Sequence, residues 1–319
     1  MKIGILTFHS ALNYGAVLQA YASVRFLQSL GHEAYVVDYE NPAISRAFHP
    51  FKWDADRWKK SGLKYLVKYP FRVLAKYRRS RAFSGFVRRQ LPLIPFSRAE
   101  SLDLLLVGSD QVWSKRHTGG QDPVYWGRAF PGIRKVAWAA SAGKSMLDPT
   151  DIQTLMRHFS AISVRESKLT DLIPQSVLLP DPTLLLDPAE WEKLVRPVHG
   201  RYVLAYPMAY EHKVLEKARR KAQDMGIGLK VVAPYVKLGS GWIQTASPVD
   251  FLSLIHSAEY VVTSSFHGAV FALLFDRPHS FVFHEDPRFE TLLNTDWPSA
   301  ADKAKAFLFS ALDARTPGK

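Results

Sequence analysis

Apolar and polar positions follow two periods along this chain. Short apolar runs fall at 2–7, 34–38, 102–107, 134–140, 161–164 and 177–179, and segments with helical spacing lie between several of them. The first helical segment, 15–30, puts Val17, Ala20, Tyr21, Val24, Leu27 and Leu30 on related faces, and Gly31 follows as a C-terminal cap. A helix around 189–195 is followed by a second series. Its strands are expected at 202–205, 229–233, 260–263 and 280–283, and its helices at 211–225, 248–256 and 267–275. Further helices are expected at 289–294 and 300–314. Strands alternating with helices predict parallel sheets. The expected fold class is therefore α/β with two Rossmann-like, doubly wound domains, at 1–187 and 188–319, the last helix crossing back to the first domain. No solenoid repeat or low-complexity tract interrupts this.

The pattern changes character at strand ends. At 260–277, YVVTSSFHGAVFALLFDR, an apolar strand runs into three hydroxyls, then Phe266, His267 and Gly268, then an apolar helix. Ligands bind open α/β sheets at the carboxyl ends of strands, and a helix N-terminus there favours a phosphate or carboxylate. His267 is a candidate for chemistry on such an anion; the plainer reading is a polar cap beside a packed histidine. Gly108–Trp113, GSDQVW, follows another strand, where Asp110 and Gln111 offer acceptors and donors for sugar hydroxyls and Trp113 a ring to stack on. Arg165 follows the strand at 161–164 and can grip a carboxylate or phosphate in a fork, or pair with Glu166 or another acid. The loop HSALNYG after the first strand contains no G-x-G-x-x-G, so a dinucleotide is not indicated.

One segment fits neither period simply. Residues 57–90 carry twelve Lys or Arg and no acid, interleaved with Trp58, Leu63, Leu66, Val67, Phe71 and Leu74. They lie in a basic helical insertion expected at 46–98, with Pro70 separating two helices. A basic amphipathic hairpin suits anionic lipid headgroups, with single-stranded nucleic acid as the rival and a solvated helical face as the plain alternative.

Composition narrows the rest. The 319 residues are 47% hydrophobic and 13% aromatic, enough for real cores. A formal charge of +13 points to anionic partners. The absence of cysteine excludes disulfides and thiolate chemistry and agrees with a reducing compartment. His9 and Asn13 interrupt the opening apolar run too early for a signal peptide, so a cytoplasmic location is expected. Asp103, Asp110, Asp181 and Asp187 form no metal-ligand spacing.

Five stretches in order resemble the polysaccharide pyruvyl transferase family: Asn13–Ala20 (NYGAVLQA), Gly108–Trp113, Ser163–Glu166 (SVRE), Asp181–Leu186 (DPTLLL) and Ser265–Gly268 (SFHG). Arg288 resembles a basic position of that family, with arginine where lysine is sometimes seen. The resemblance implies a GT-B-like arrangement with the active cleft between the domains. It implies phosphoenolpyruvate as donor and co-substrate, with no metal or other cofactor. It implies transfer of pyruvate to sugar hydroxyls of a cell-surface polysaccharide or lipid-linked precursor, forming a ketal and releasing phosphate. By carry-over, Arg165, His267 and Arg288 form the donor-binding set; the chemistry makes His267 the expected catalytic proton carrier, and Ser265 and Gly268 are expected to bind the donor beside it. Asn13, Tyr14, Asp110, Gln111 and Trp113 face the acceptor. The basic insertion would attach the protein peripherally to the inner face of the plasma membrane, no nucleic acid being expected as partner. Two competing readings are a nucleotide-sugar glycosyltransferase on the same fold and a basic nucleic-acid-binding protein.

Overall fold

The computed structural model describes residues 1–49, 62–143, 145–208, 211–232, 242–282 and 297–313, with 55, 58, 59, 289 and 292. Seven parallel strands form the first sheet: β1 (Lys2–Leu6), β2 (Glu33–Asp38), β3 (Leu93–Pro95), β4 (Leu104–Val107), β5 (Lys135–Ala140), β6 (Ala161–Val164) and β7 (Val177–Leu178). Their spatial order is β3-β2-β1-β4-β5-β6-β7. Five parallel strands form the second sheet: β8 (Tyr202–Tyr206), β9 (Gly228–Val232), β10 (Trp242–Ile243), β11 (Tyr260–Thr263) and β12 (His279–Phe281), in the order β10-β9-β8-β11-β12. The helices are α1 (Tyr14–Ser29), α2 (Pro42–Phe48), α3 (Leu63–Gln90), α4 (Lys115–Thr118), α5 (Pro149–His158), α6 (Ser167–Leu172), α7 (Pro188–Glu192), α8 (Glu211–Asp224), α9 (Pro248–His256), α10 (Phe266–Leu274) and α11 (Trp297–Asp313).

Each sheet reverses its winding once. In the first, the chain moves outward from β1 on one side and from β4 on the other; in the second, β8 and β11 play these parts. Crevices at such reversals are where parallel sheets take ligands. Register is fixed by apolar pairs, Ile5 of β1 lying opposite Val36 of β2 and Leu106 of β4. A one-residue slip would turn every one of these side chains to the other face.

The first sheet ends at Leu178 and the second begins at Tyr202. One continuous apolar cluster joins them. Tyr14 stacks flat on Phe251 at 4.4 Å between ring centroids, meets Tyr206 edge-on at 5.9 Å, and donates its hydroxyl to the carbonyl of Ala246 at 3.0 Å. Trp191 bridges Tyr21 and Phe271. Helix α11 lies against the first sheet: Arg134 Nη1 donates to the carbonyl of Leu312 at 3.0 Å, and Trp138 approaches Phe307.

Helix α3 differs from its expectation. It is one helix of 28 residues running through Pro70, not two. Pro70 removes the amide that would bond the carbonyl of Leu66, but both residues are exposed, so water can satisfy that carbonyl. The opposite side of α3 docks on the protein through Tyr65, Arg79, Phe83, Phe86 and Val87, all buried. Arg79 is thus no part of a solvated basic face: its guanidinium lies 5.1 Å from the Tyr14 ring centroid. Two short edge strands, β3 and β10, have no counterpart in the sequence expectation.

Candidate active site

The loops after β11 and β1 bring their helices nose to nose. Ser265 caps α10, its hydroxyl accepting from the Gly268 amide at 3.3 Å, while Asn13 caps α1, its Oδ1 accepting from the Gly15 amide at 3.0 Å. His267, in the first turn of α10, rests on the first turn of α1. A Cβ built on Gly15 would fall 1.9 Å from His267 Nδ1. Only glycine lets the helix backbone approach the ring this closely. Gly268 is equally constrained, since a Cβ there would fall 2.6 Å from Thr263 Oγ1. That hydroxyl accepts from the Ser265 amide and donates to the carbonyl of Tyr206, which fixes the turn from β11 into α10.

A buried charged cluster lies under His267. Arg165, just past β6, is 1% exposed. Its Nη1 donates to Asp181 Oδ2 in a very short hydrogen bond, and its Nη2 lies 3.8 Å from Asp110 Oδ1. His267 Nε2 lies 3.3 Å from the same Asp181 oxygen, near enough for ionic attraction but not aligned as a hydrogen bond. Asp181 Oδ1 accepts from the Thr183 amide and hydroxyl at 3.0 and 2.7 Å. Burial opposes ionisation of Asp181. The positive charge of His267 and Arg165 and the Thr183 hydroxyl outweigh it and hold the carboxyl well below the usual carboxylate range. The Phe266 ring covers the Arg165 guanidinium at 5.4 Å.

Among the described residues, three nitrogens of this cluster are buried with no aligned hydrogen bond: Arg165 Nε, and Arg165 Nη2 and His267 Nε2, which lie within ionic reach of Asp110 and Asp181. Leaving buried polar groups without a hydrogen bond is costly, which singles this cluster out as the candidate site.

The sequence-based candidates divide as follows. His267, Arg165, Asp110 and the Asn13 cap meet around the junction of α1 and α10. Ser265 and Gly268 chiefly serve each other and the turn. Arg165 pairs with Asp181 and not with Glu166, which instead accepts from Ser141. Asp110 adopts φ +71° and directs its carboxylate at the Gln111 amide and Arg165. Gln111 packs its side chain over Gly143. Two acceptor assignments need correction. Trp113 is fully buried, donating its indole N–H to the Tyr125 carbonyl, and Tyr14 is fully buried between the two sheets. Neither ring has a face to offer a sugar. Arg288 lies outside the described residues.

Sequence reasoning missed two residues. Asp181 entered the sequence reading only in the DPTLLL stretch and among acids without metal-ligand spacing, yet it is the counter-charge of both Arg165 and His267. Gln19, fully buried on α1, donates to Thr7 Oγ1 and accepts from the Ser109 amide, tying the loops after β1 and β4 together. Its signal was a lone amide on the apolar face of α1.

The polysaccharide pyruvyl transferase family model matches residues 13–282. The chain belongs to the polysaccharide pyruvyl transferase family. The matched span contains all four members of the buried cluster, Asp110, Arg165, Asp181 and His267. Solved structures align with the chain at low identity. UDP-GlcNAc 2-epimerase from Neisseria meningitidis, bound to UDP-GlcNAc, is 10% identical with TM-score 0.52, over 98% of this chain and 99% of that one. A putative UDP-N-acetylglucosamine 2-epimerase from Listeria monocytogenes is 12% identical with TM-score 0.49, over 98% and 89%. A spinosyn rhamnosyltransferase is 13% identical with TM-score 0.41, over 97% and 92%. No curated protein matches the chain. This pyruvyl transferase family member therefore has a GT-B-like α/β fold.

Proposed function

We propose that this transferase moves the pyruvate unit of phosphoenolpyruvate onto two hydroxyls of a sugar, forming a cyclic ketal and releasing phosphate. The observation that carries the reading is the meeting of Arg165 and His267 in one buried cluster, where Arg165 Nε, Arg165 Nη2 and His267 Nε2 make no hydrogen bond among the described residues. They are suited to a small anion bearing carboxylate and phosphate together.

The reaction balances on the acceptor's own protons. One sugar hydroxyl attacks the central carbon and the second closes the ring. One hydroxyl proton ends on the methylene carbon, making it methyl, and the other leaves with phosphate. His267 is the group suited to carry protons between these positions, since imidazole exchanges them near neutrality. Asp181 positions it and fixes the Arg165 fork. Because Asp181 already balances Arg165, that guanidinium orients the donor through its remaining N–H groups more than by net charge. The +13 balance of the chain supplies the attracting field. Arg288 is proposed as a second donor-binding cation. No metal enters the scheme.

For the acceptor we assign a cavity of about 310 Å³ at the carboxyl ends of β1 and β2. Its wall offers Ser10, Ser45, Ser80 and Ser84 with Asp38 and Glu40, beside the apolar faces of Phe48 and Phe83. Hydroxyls and carboxylates beside flat apolar surface match the edges and faces of a sugar ring. His9, 1% exposed, holds Asp38 at 3.0 Å and stiffens this wall. The cavity takes over the role that Tyr14 and Trp113 cannot fill.

A nucleotide-sugar donor is the second reading, favoured by the fold shared with the meningococcal epimerase that is bound to UDP-GlcNAc. Incubating the protein with a saccharide and either donor separates them. Phosphate release from phosphoenolpyruvate is the expected result. Nucleotide release from a nucleotide sugar, with none of that phosphate, would overturn the proposal.

A further inference from the structure

Helix α3 carries two faces of opposite kind. Its inner side is the packed one, ending in Phe83, Phe86 and Val87. Its outer side should be polar if solvent were its only neighbour. Instead it exposes Leu63 (73%), Val67 (63%), Phe71 (62%), Leu66 (48%), Tyr77 (48%) and Leu74 (47%). At 100° per residue these six fall along one stripe over the first four turns. The same stripe then turns basic through the exposed Arg78, Arg81 and Arg88, with Lys68 and Arg89 beside it. No acidic residue occurs in the chain between Asp56 and Glu100.

We infer that α3 is a membrane-docking helix that lays its apolar stripe into an anionic lipid surface. Each occupant other than lipid leaves half of the stripe unexplained. A second copy docked on the same face would cover the aliphatic side chains but bring arginine against arginine. A nucleic acid would satisfy the arginines but leave Leu63, Leu66, Val67 and Leu74 without a partner, since only Phe71 and Tyr77 can stack on bases. A bilayer with acidic headgroups takes both: the apolar side chains enter the acyl boundary and the guanidinium and ammonium groups stay at headgroup level. Each basic side chain near such a surface adds attraction that salt weakens. Attachment would be peripheral, for among the described residues no helix is long and apolar enough to cross a membrane. The docking has a geometric use. Ser80, Ser84 and Arg88 of α3 also line the 310 Å³ cavity, so a saccharide carried on a lipid would reach it from the surface on which α3 lies. That last point rests on the acceptor assignment; the docking itself does not.

The test is co-sedimentation of the full chain with vesicles of phosphatidylcholine alone and of phosphatidylcholine with phosphatidylglycerol. Binding to the acidic vesicles is expected to be at least about tenfold tighter and to weaken with salt. The double substitution Phe71→Ser and Leu74→Ser, and separately the triple Lys68→Glu, Arg78→Glu and Arg81→Glu, should each reduce it at least about tenfold. All these side chains are exposed, so the melting temperature should not move, and turnover on a water-soluble acceptor should stay as it was. The inference is overturned by equal binding to both vesicle types or by none. It is also overturned if either variant binds acidic vesicles like wild type, if the face proves to form a dimer that Phe71→Ser dissolves while vesicles do not bind, or if only nucleic acid is bound.

Discussion

The two regions richest in charge handle it in opposite ways. Around His267, one guanidinium and one imidazole share two carboxylates, and Arg165, Asp181, Asp110 and His267 are each at most 8% exposed. Along α3, exposed Lys and Arg side chains stand on an element with no acid at all. Charge in the first region is short-range, nearly dry and bound into the packing, so it can hold atoms in place. Charge in the second is wet and long-range, so it can attract a surface without fixing any atom. The consequences for mutation, pH and salt should separate accordingly.

The largest expected effect comes from Asp181→Ala. It leaves Arg165 and His267 buried beside each other without their shared counter-charge, and should cost about 3–5 kcal/mol, read by chemical denaturation. A loss under about 1 kcal/mol would mean that the cluster is solvated and the comparison fails. Acid should reveal the same carboxyl. Its folded-state pKa is depressed, so its contribution is fully present above the unfolded value near 4 and fades as pH falls toward the lower folded value. Stability between pH 5 and 7 should therefore owe nothing to Asp181 titration. A denaturation series in which wild type and Asp181→Asn lose stability in parallel below pH 4 would contradict this.

Next in size is Arg165→Lys. The ammonium keeps a charge for Asp181 but loses the planar fork and the Nε and Nη2 that make no hydrogen bond among the described residues. An apparent KM for phosphoenolpyruvate raised about tenfold, equivalent to about 1.4 kcal/mol, is expected with a smaller change in kcat. Donor saturation like that of wild type would move Arg165 from substrate binding to pure scaffolding. The smallest effect belongs to α3, where Lys68→Glu with Arg81→Glu should alter folding stability by no more than about 0.5 kcal/mol. A larger loss by calorimetry would show that this face is packed and not free.

How far these regions could be read in the sequence differs for physical reasons. Ten of the twelve strands among the described residues were legible because continuous apolar runs such as 104–107 and 260–263 leave little choice of structure. The two missed, Leu93–Pro95 and Trp242–Ile243, are edge strands of three and two residues, too short to show a period. Pro70 suggested a break, but a proline on the wet side of a helix deprives only a carbonyl that water reaches. At the site, His267 and Arg165 were legible as polar residues where strands end. Asp181 was not, because its importance lies in two partners at sequence separations of 16 and 86 residues, which no local pattern encodes. Trp113 and Tyr14 misled for the converse reason. An aromatic at a strand end can face the crevice or the core with the same local sequence, and packing on Phe159 and Phe251 decided it.

The central claim is that the imidazole of His267, steadied by Asp181, moves protons during pyruvate transfer. The most direct measurement is phosphate release from saturating phosphoenolpyruvate with a saccharide acceptor, comparing wild type with His267→Asn at equal folded fraction. A fall in turnover of about a hundredfold or more is the predicted result. Turnover equal to wild type would contradict it.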